Sequence, residues 1–286
     1  MILMQDIKLI FYGVRGSYPV PDKNVIKYGG NTASILVEVD HQPLILDAGT
    51  GIINIGPYLK KNRPNLKKID IFLTHLHIDH IQGIPFFDPV FDPEFQINIY
   101  CNENQETRLE ETIYGLFNQP LSPIGNEGIK ARINFKILDL NHKETITIGN
   151  IIAIDYIKEK HPVAGVLTYR LTIGDKRIVY ATDVEAPGGF SKDTIAFIKG
   201  ADILIHDSMY FDWDYYSPEY PKKGFGHSTV SMAVENAIKG EVKKLFLFHY
   251  NPNYSDEEIE KMVNEAKEKF KATYLSEELK NFRLRR

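Results

Sequence analysis

The chain of 286 residues holds one cysteine, Cys101, and one tryptophan. A single thiol cannot close an intrachain disulfide or build a multi-cysteine cluster, so any metal must be held by His, Asp or Glu, and a reducing compartment fits. No apolar run approaches the roughly 20 residues that span a bilayer. The opening "MILMQDIKLIFYGVRGS" is interrupted by Asp6 and Lys8 and lacks the basic region and long apolar core of a signal peptide. A cytoplasmic protein with no membrane partner is expected. Charge of one sign is also scarce, since 34 Lys and Arg against 38 Asp and Glu leave a net charge of -4. Without an overall basic field, a large nucleic acid held mainly through its phosphates is disfavoured, and a small anion needs positive charge concentrated locally. No Pro/Gly/Ser linker, repeat or low-complexity tract divides the chain, so a single domain over residues 1–286 is expected.

What the sequence does contain is a succession of short β-branched runs closed by Gly, Asn and Asp. "IKLIFYG", "ASILVEV", "QPLILDAG", "IDIFLTH" and "FQINIYC" predict strands in the first half, and "INFKILDL", "ETITIG", "IIAIDYI", "VLTYRLTIG" and "KRIVYATD" predict more in the second. "ADILIHD" and "KKLFLFHY" then read as buried strands. Between them the amphipathic "STVSMAVENAIKG" predicts a helix with Ser228 as N-cap and Gly240 as C-cap. "SDEEIEKMVNEAKEKFK" predicts a final surface helix capped by Ser255, acidic at its start and basic at its end as the helix dipole favours. The fold class is α+β, and an αββα four-layer sandwich is one way to arrange it.

"THLHIDHIQG", residues 74–83, packs three histidines and an aspartate into six positions. His75 and His77 are two apart and project to one side of an extended segment, while Asp79 and His80 follow where the chain bends. Four such donors exceed what one open catalytic site takes from so short a stretch, so two adjacent ions are the economical reading, with a polar turn as the alternative. Further donors stand at the ends of apolar runs. His161 follows "DYIKEK", Asp183 ends "RIVYATD" and His249 ends "KKLFLFH", in the strand-end positions where loops on a rigid scaffold carry function.

This ordered set resembles the metallo-β-lactamase fold superfamily, with its HxHxDH motif after a strand followed by a distant His, Asp and His. The resemblance runs from about residue 8 to residue 252. It implies two divalent ions, zinc or else manganese or iron. His75, His77 and His161 would bind one, Asp79, His80 and His249 the other, and Asp183 would bridge them. "ILDAGTG" is similar to the family's earlier acidic motif, in which Asp47 would support the ligands by hydrogen bonding and Gly49 and Gly51 would permit a tight turn.

Two more stretches resemble the phosphodiesterase branch that includes ribonuclease Z. "FGHST" places His227 ahead of a helix, and "LIHD" places Asp207 after a strand, where ribonuclease Z has the longer Glu. The implied reaction is hydrolysis of a phosphodiester by a metal-bridging hydroxide oriented by Asp79, with His227, held by Asp207, either protonating the leaving alkoxide or stabilising charge on the phosphoryl oxygens. His206 should point away from Asp207 on an extended chain and be structural; His41 and His142 read as surface residues.

Ribonuclease Z grips transfer RNA with a protruding basic arm, whereas "YFDWDYYSPEYPKKGFG" is short, aromatic and mixed in charge. On that ground transfer RNA is not expected as a partner. A cyclic or small phosphodiester, or a short oligonucleotide, is preferred, with this segment and "PFFDPVFDPEF" as aromatic loops over the site. "YGVRGSYPVPDKNVIKYGGNTAS" is similar to a group of bacterial hydrolases in the same branch, and Arg15 with the amides of Gly29, Gly30 and Asn31 is a candidate phosphate contact. A homodimer is compatible with the sequence. The alternatives are a di-iron redox or oxygen-binding protein and a thioester or lactam hydrolase on the same fold. The flavodiiron branch has Glu where His77 stands and carries a flavodoxin domain that this chain lacks.

Overall fold

A computed structural model describes residues 6–103, 108–141, 144–162 and 165–284; His142 lies outside them. The chain forms two compact units, Met1–Pro19, Asn31–Asp139 and Glu277–Arg286 in the first, and Val20–Gly30 and Leu140–Ser276 in the second.

The first unit carries a seven-stranded sheet in the spatial order β14 (Asn281–Leu284), β1 (Ile7–Gly13), β2 (Ser34–Val39), β3 (Gln42–Leu46), β4 (Lys68–Phe72), β5 (Gln96–Cys101) and β6 (Arg132–Ile137). Pairing is antiparallel from β14 to β3 and parallel from β3 to β6. The hairpin between β2 and β3 turns on Asp40 and His41, both at positive φ, as the twist of a two-residue turn requires. His41 is exposed there, as expected. Every residue of β2 is buried, Glu38 included, whose carboxylate is paired with Lys8 and Arg63.

Among the described residues, three helices belong to this unit, α1 (Ile52–Asn62), α2 (Ile78–Ile81) and α3 (Leu109–Gly115). Ile52, Ile55 and Leu59 of α1 and Leu109 and Ile113 of α3 join Leu36, Ile45, Ile71 and Ile99 of the sheet in one core, each large side chain contributing about 1.5–3 kcal/mol by leaving water. Pro57 sits inside α1 and removes one of its backbone hydrogen bonds, which is why the sequence pattern does not announce this helix.

The second unit has its own seven-stranded sheet, in the order β13 (Thr273–Leu275), β12 (Leu245–Phe248), β11 (Ile203–Asp207), β10 (Lys176–Ala181), β9 (Val166–Ile173), β8 (Ile152–Glu159) and β7 (Ile146–Ile148). Pairing is parallel from β13 to β10 and antiparallel from β10 to β7. Its helices are α4 (Lys192–Ile198), α5 (Asp212–Tyr215), α6 (Val230–Lys239) and α7 (Asp256–Lys269). Ser255 caps α7 as expected, accepting from Glu258 N while Glu258 Oε2 accepts from Ser255 N. In α6 the N-cap is Thr229 rather than Ser228; the Ser228 hydroxyl instead donates to Val184 O at 2.6 Å. The α+β class is therefore that of the chain. Among the described residues no helix is long and apolar enough to cross a membrane.

Candidate metal and catalytic centre

In each sheet several of the chemistry-bearing residues leave the C-terminal ends of the parallel strands, where loops of mixed sheets gather binding groups; His161 instead follows the antiparallel β8 and His227 precedes α6. Asp47 follows β3, His75 follows β4, Asp183 follows β10, Asp207 ends β11 and His249 follows β12. Asp47, Asp183 and His249 have φ of 57°, 55° and 61°. That conformation costs a non-glycine residue on the order of 1–3 kcal/mol and persists where surrounding contacts over-determine it. It also swings the side chain off the line of the strand.

In the first unit Asp47 is fully buried. Its Oδ1 accepts from Thr74 N at 2.7 Å and its Oδ2 accepts from His80 Nδ1 at 2.8 Å. The Thr74 hydroxyl donates to the same carboxylate at 3.0 Å, so it accepts in turn from His75 Nδ1 at 3.1 Å. Both histidines are thus held as Nδ1–H tautomers, each turning Nε2 away from its support. The His75 ring lies 4.4 Å from those of both His77 and His80. Asp79 and His80 sit in the one-turn helix α2, and Asp79 Oδ2 accepts from Ser17 N at 2.7 Å. Gly49 is required by closeness rather than by the tight turn expected of it, because a Cβ there would lie 2.2 Å from Asp79 O.

In the second unit His161 Nδ1 donates to Gly226 O at 3.1 Å, with its Nε2 3.9 Å from Asp183 Oδ1. The Thr182 hydroxyl donates to Asp183 Oδ2 at 2.6 Å, and His249 Nε2 lies 3.3 Å from the same oxygen. His227 Nδ1 donates to Asp207 Oδ2 at 2.8 Å, so the shorter acid spans the gap. Asp207 Oδ1 accepts from Met209 N and Ser228 N at 3.0 and 3.2 Å, which fixes the carboxylate before it meets the imidazole. Ligand-type atoms of Asp207, His227 and His249 all lie within 4.8 Å of one another. His206 is fully buried and points away, donating from Nδ1 to Asp207 O and accepting at Nε2 from Asn236. Burial pushes its pKa down, which keeps it a neutral structural residue.

These donors suit divalent ions. They are nitrogen and oxygen only, as zinc, manganese or iron sites use. His75, His80 and His161 each have Nδ1 tied to a hydroxyl, a carboxylate or a carbonyl, the support that presents the opposite nitrogen to a metal. Thr74, Thr182 and Glu185, which ties Gly224 and Gly226 by their amides, escaped the sequence reading. For the threonines the only signal was a hydroxyl immediately before His75 and Asp183.

In the glycine-rich stretch, two of the three amides expected to meet a phosphate are taken within the protein. Asn31 N donates to Glu278 Oε1 at 2.6 Å, Gly29 N donates to Val25 O at 2.8 Å, and Arg15 is fully buried. The aromatic loops also divide. Phe87 and Phe95 are core residues of the first unit, while Phe86, Phe91, Trp213, Tyr216, Tyr220 and Phe225 are exposed.

The Beta-lactamase superfamily domain model matches residues 43–250. A Ribonuclease Z of Picrophilus torridus is 29% identical, with 98% of this chain and 96% of that protein covered. The crystal structure of the metallo-beta-lactamase fold protein YhfI from Bacillus subtilis superposes with a TM-score of 0.72 at 18% identity, covering 98% of this chain and 100% of that one. Human tRNase Z, short form, superposes with a TM-score of 0.65 at 18% identity over 96% of this chain and 98% of that one. The full-length match to a Ribonuclease Z overturns the exclusion of transfer RNA and the preference for a small phosphodiester. The missing basic arm was the ground for both, and a full-length likeness to a Ribonuclease Z outweighs one surface element. With the family model covering most of the chain and the expected residues at its strand ends, the protein belongs to the beta-lactamase superfamily and has the metallo-β-lactamase fold.

Proposed function

We propose that the protein cleaves RNA phosphodiester bonds and that its substrate is a transfer RNA. At the coarser level it is a metal-dependent phosphodiester hydrolase. The observation that carries the finer reading is the His227–Asp207 pair, 2.8 Å apart and within 4.8 Å of His249, in a chain whose relative of matching length is named Ribonuclease Z.

In this reading residues 1–286 act as one catalytic domain, and His75, His77, Asp79, His80, His161, Asp183 and His249 are the ligands of two divalent ions, zinc by preference. When bound, the ions supply activated water at neutral pH and positive charge for the phosphoryl oxygens. The remaining steps belong to the chain. Asp47 and Thr74 hold His80 and His75 in the tautomer that leaves Nε2 available to a ligand. His227, oriented by Asp207, takes its place beside the leaving oxygen, and its imidazolium proton passes there as the P–O bond breaks. Its side chain is 12% exposed whereas that of Asp207 is fully buried, the arrangement in which the imidazole meets substrate and the carboxylate only orients it. A cytoplasmic location accords with such a substrate.

The test is incubation of metal-replete protein with a transfer-RNA precursor, an aryl phosphodiester and a cyclic nucleotide, with and without a chelator. Chelator-sensitive cleavage of the RNA is expected; intact RNA with turnover of the other substrates refutes the transfer-RNA assignment, and no turnover of any refutes the phosphodiesterase reading.

A further inference from the structure

Glu185 lies two residues beyond Asp183, in the loop after β10, and its carboxylate gathers three donors from one later segment. Oε1 accepts from the Tyr215 hydroxyl and from Gly224 N, and Oε2 accepts from Gly226 N at 3.0 Å. Tyr215 is fully buried, so this anchor is fixed. The consequence reaches two histidines. Gly226 O is the acceptor of His161 Nδ1–H, and the following residue is His227. Gly226 has φ of +90°, and a Cβ on it would lie 2.4 Å from His161 Nδ1, so the peptide is pressed against the imidazole and no other residue fits. On the far side of His227, the Ser228 hydroxyl donates to Val184 O. Both neighbours of His227 are therefore tied to residues 184 and 185, and His227 Nδ1 stands 3.8 Å from Asp183 Oδ1.

We infer that Glu185 is a positioning residue: through the amides of Gly224 and Gly226 it aims the Gly226 carbonyl at His161, setting that histidine's tautomer, and fixes the height of His227 beside Asp183. The roles of His161 and His227 in this inference rest on the proposed function, but the tie itself does not. A carboxylate accepting from two amides and a phenol is held in one orientation by charge-assisted hydrogen bonds. Outer partners of this kind shift metal affinity by about 10–100-fold when removed.

The experiment compares Glu185→Ala, Glu185→Gln and Tyr215→Phe with the wild type in the full chain. In metal-free protein, nitrogen-detected NMR should show His161 as the Nδ1–H tautomer, and Glu185→Ala should convert it to a mixture. Zinc affinity by chelator competition should fall about 10–100-fold in Glu185→Ala and less in Glu185→Gln, which keeps one oxygen acceptor. Tyr215→Phe removes the buried anchor but leaves both amide bonds in place, and should shift tautomer and affinity clearly less than Glu185→Ala. On an aryl phosphodiester, kcat should fall in Glu185→Ala with KM little changed. An unaltered His161 tautomer with zinc affinity within about twofold, accompanied only by a lower Tm, would reduce Glu185 to a packing residue. A Tyr215→Phe effect as large as that of Glu185→Ala would assign the role to the phenol. If Glu185→Ala does not fold, Glu185→Gln decides by the same measurements. If the wild type turns over no phosphodiester, the proposed function fails while tautomer and affinity still decide Glu185.

Discussion

Two Asp–His pairs, one in each unit, share a length of 2.8 Å and a fully buried carboxylate, Asp47 with His80 and Asp207 with His227. They differ in what else the carboxylate holds and in how far the imidazole is covered. Asp47 also binds the backbone and hydroxyl of Thr74, and His80 is fully buried. Asp207 is satisfied by two backbone amides, and His227 keeps 12% of its side chain accessible. In the proposed function, identical pair chemistry would serve two ends: the closed pair would brace a metal ligand, and the partly open pair would offer a proton.

The comparison breaks most severely at Asp47. Asp47→Ala strands His80 and Thr74 without their acceptor, and loss of one partner of a buried pair costs about 3–5 kcal/mol. Chemical denaturation should register that loss and metal analysis a depleted protein; retention of full metal content would mean His80 needs no brace. His227→Ala should do the opposite, leaving stability and metal content near wild type while kcat falls by about 10²–10⁴-fold, measured on the same protein batch. A metal-poor His227→Ala protein would move His227 among the ligands.

Asp207→Asn sharpens the contrast at smaller scale. The amide oxygen can keep the Met209 and Ser228 donors, which turns the NH2 group toward His227 Nδ1 and forces the proton to Nε2. Turnover should drop by about 10²-fold with little change in Tm, and histidine NMR should report the reversed tautomer. The smallest effect belongs to a site outside both pairs. Ser255→Ala removes the cap of α7 and should lower stability by about 1 kcal/mol without altering turnover, so that lost stability alone is shown not to mimic either pair.

The strands were legible because β-branched runs closed by Gly, Asn or Asp leave few other conformations, and α7 because Ser255, its acidic first turn and its lysines agree with one another. The helix α1 was not, since Pro57 contradicts local propensity and only burial of Ile52, Ile55 and Leu59 stabilises it. The cap of α6 slipped by one residue because Ser228 and Thr229 are equivalent as local signals. A tertiary acceptor, Val184 O, claims the serine. In the glycine-rich stretch, the Asn31 and Gly29 amides are likewise taken by acceptors the local signal does not show, Glu278 and Val25.

By itself the sequence determined which side chains carry metal-donor atoms and where strands end, because donor chemistry and β-propensity are properties of short stretches. Tertiary structure decided how those side chains are aimed. Asp47 meets His80, Asp207 meets His227 and Gly226 meets His161 through strand register and loop closure across long intervals of chain. A hydrogen bond's direction depends on where both partners come to rest, which no local run of residues contains.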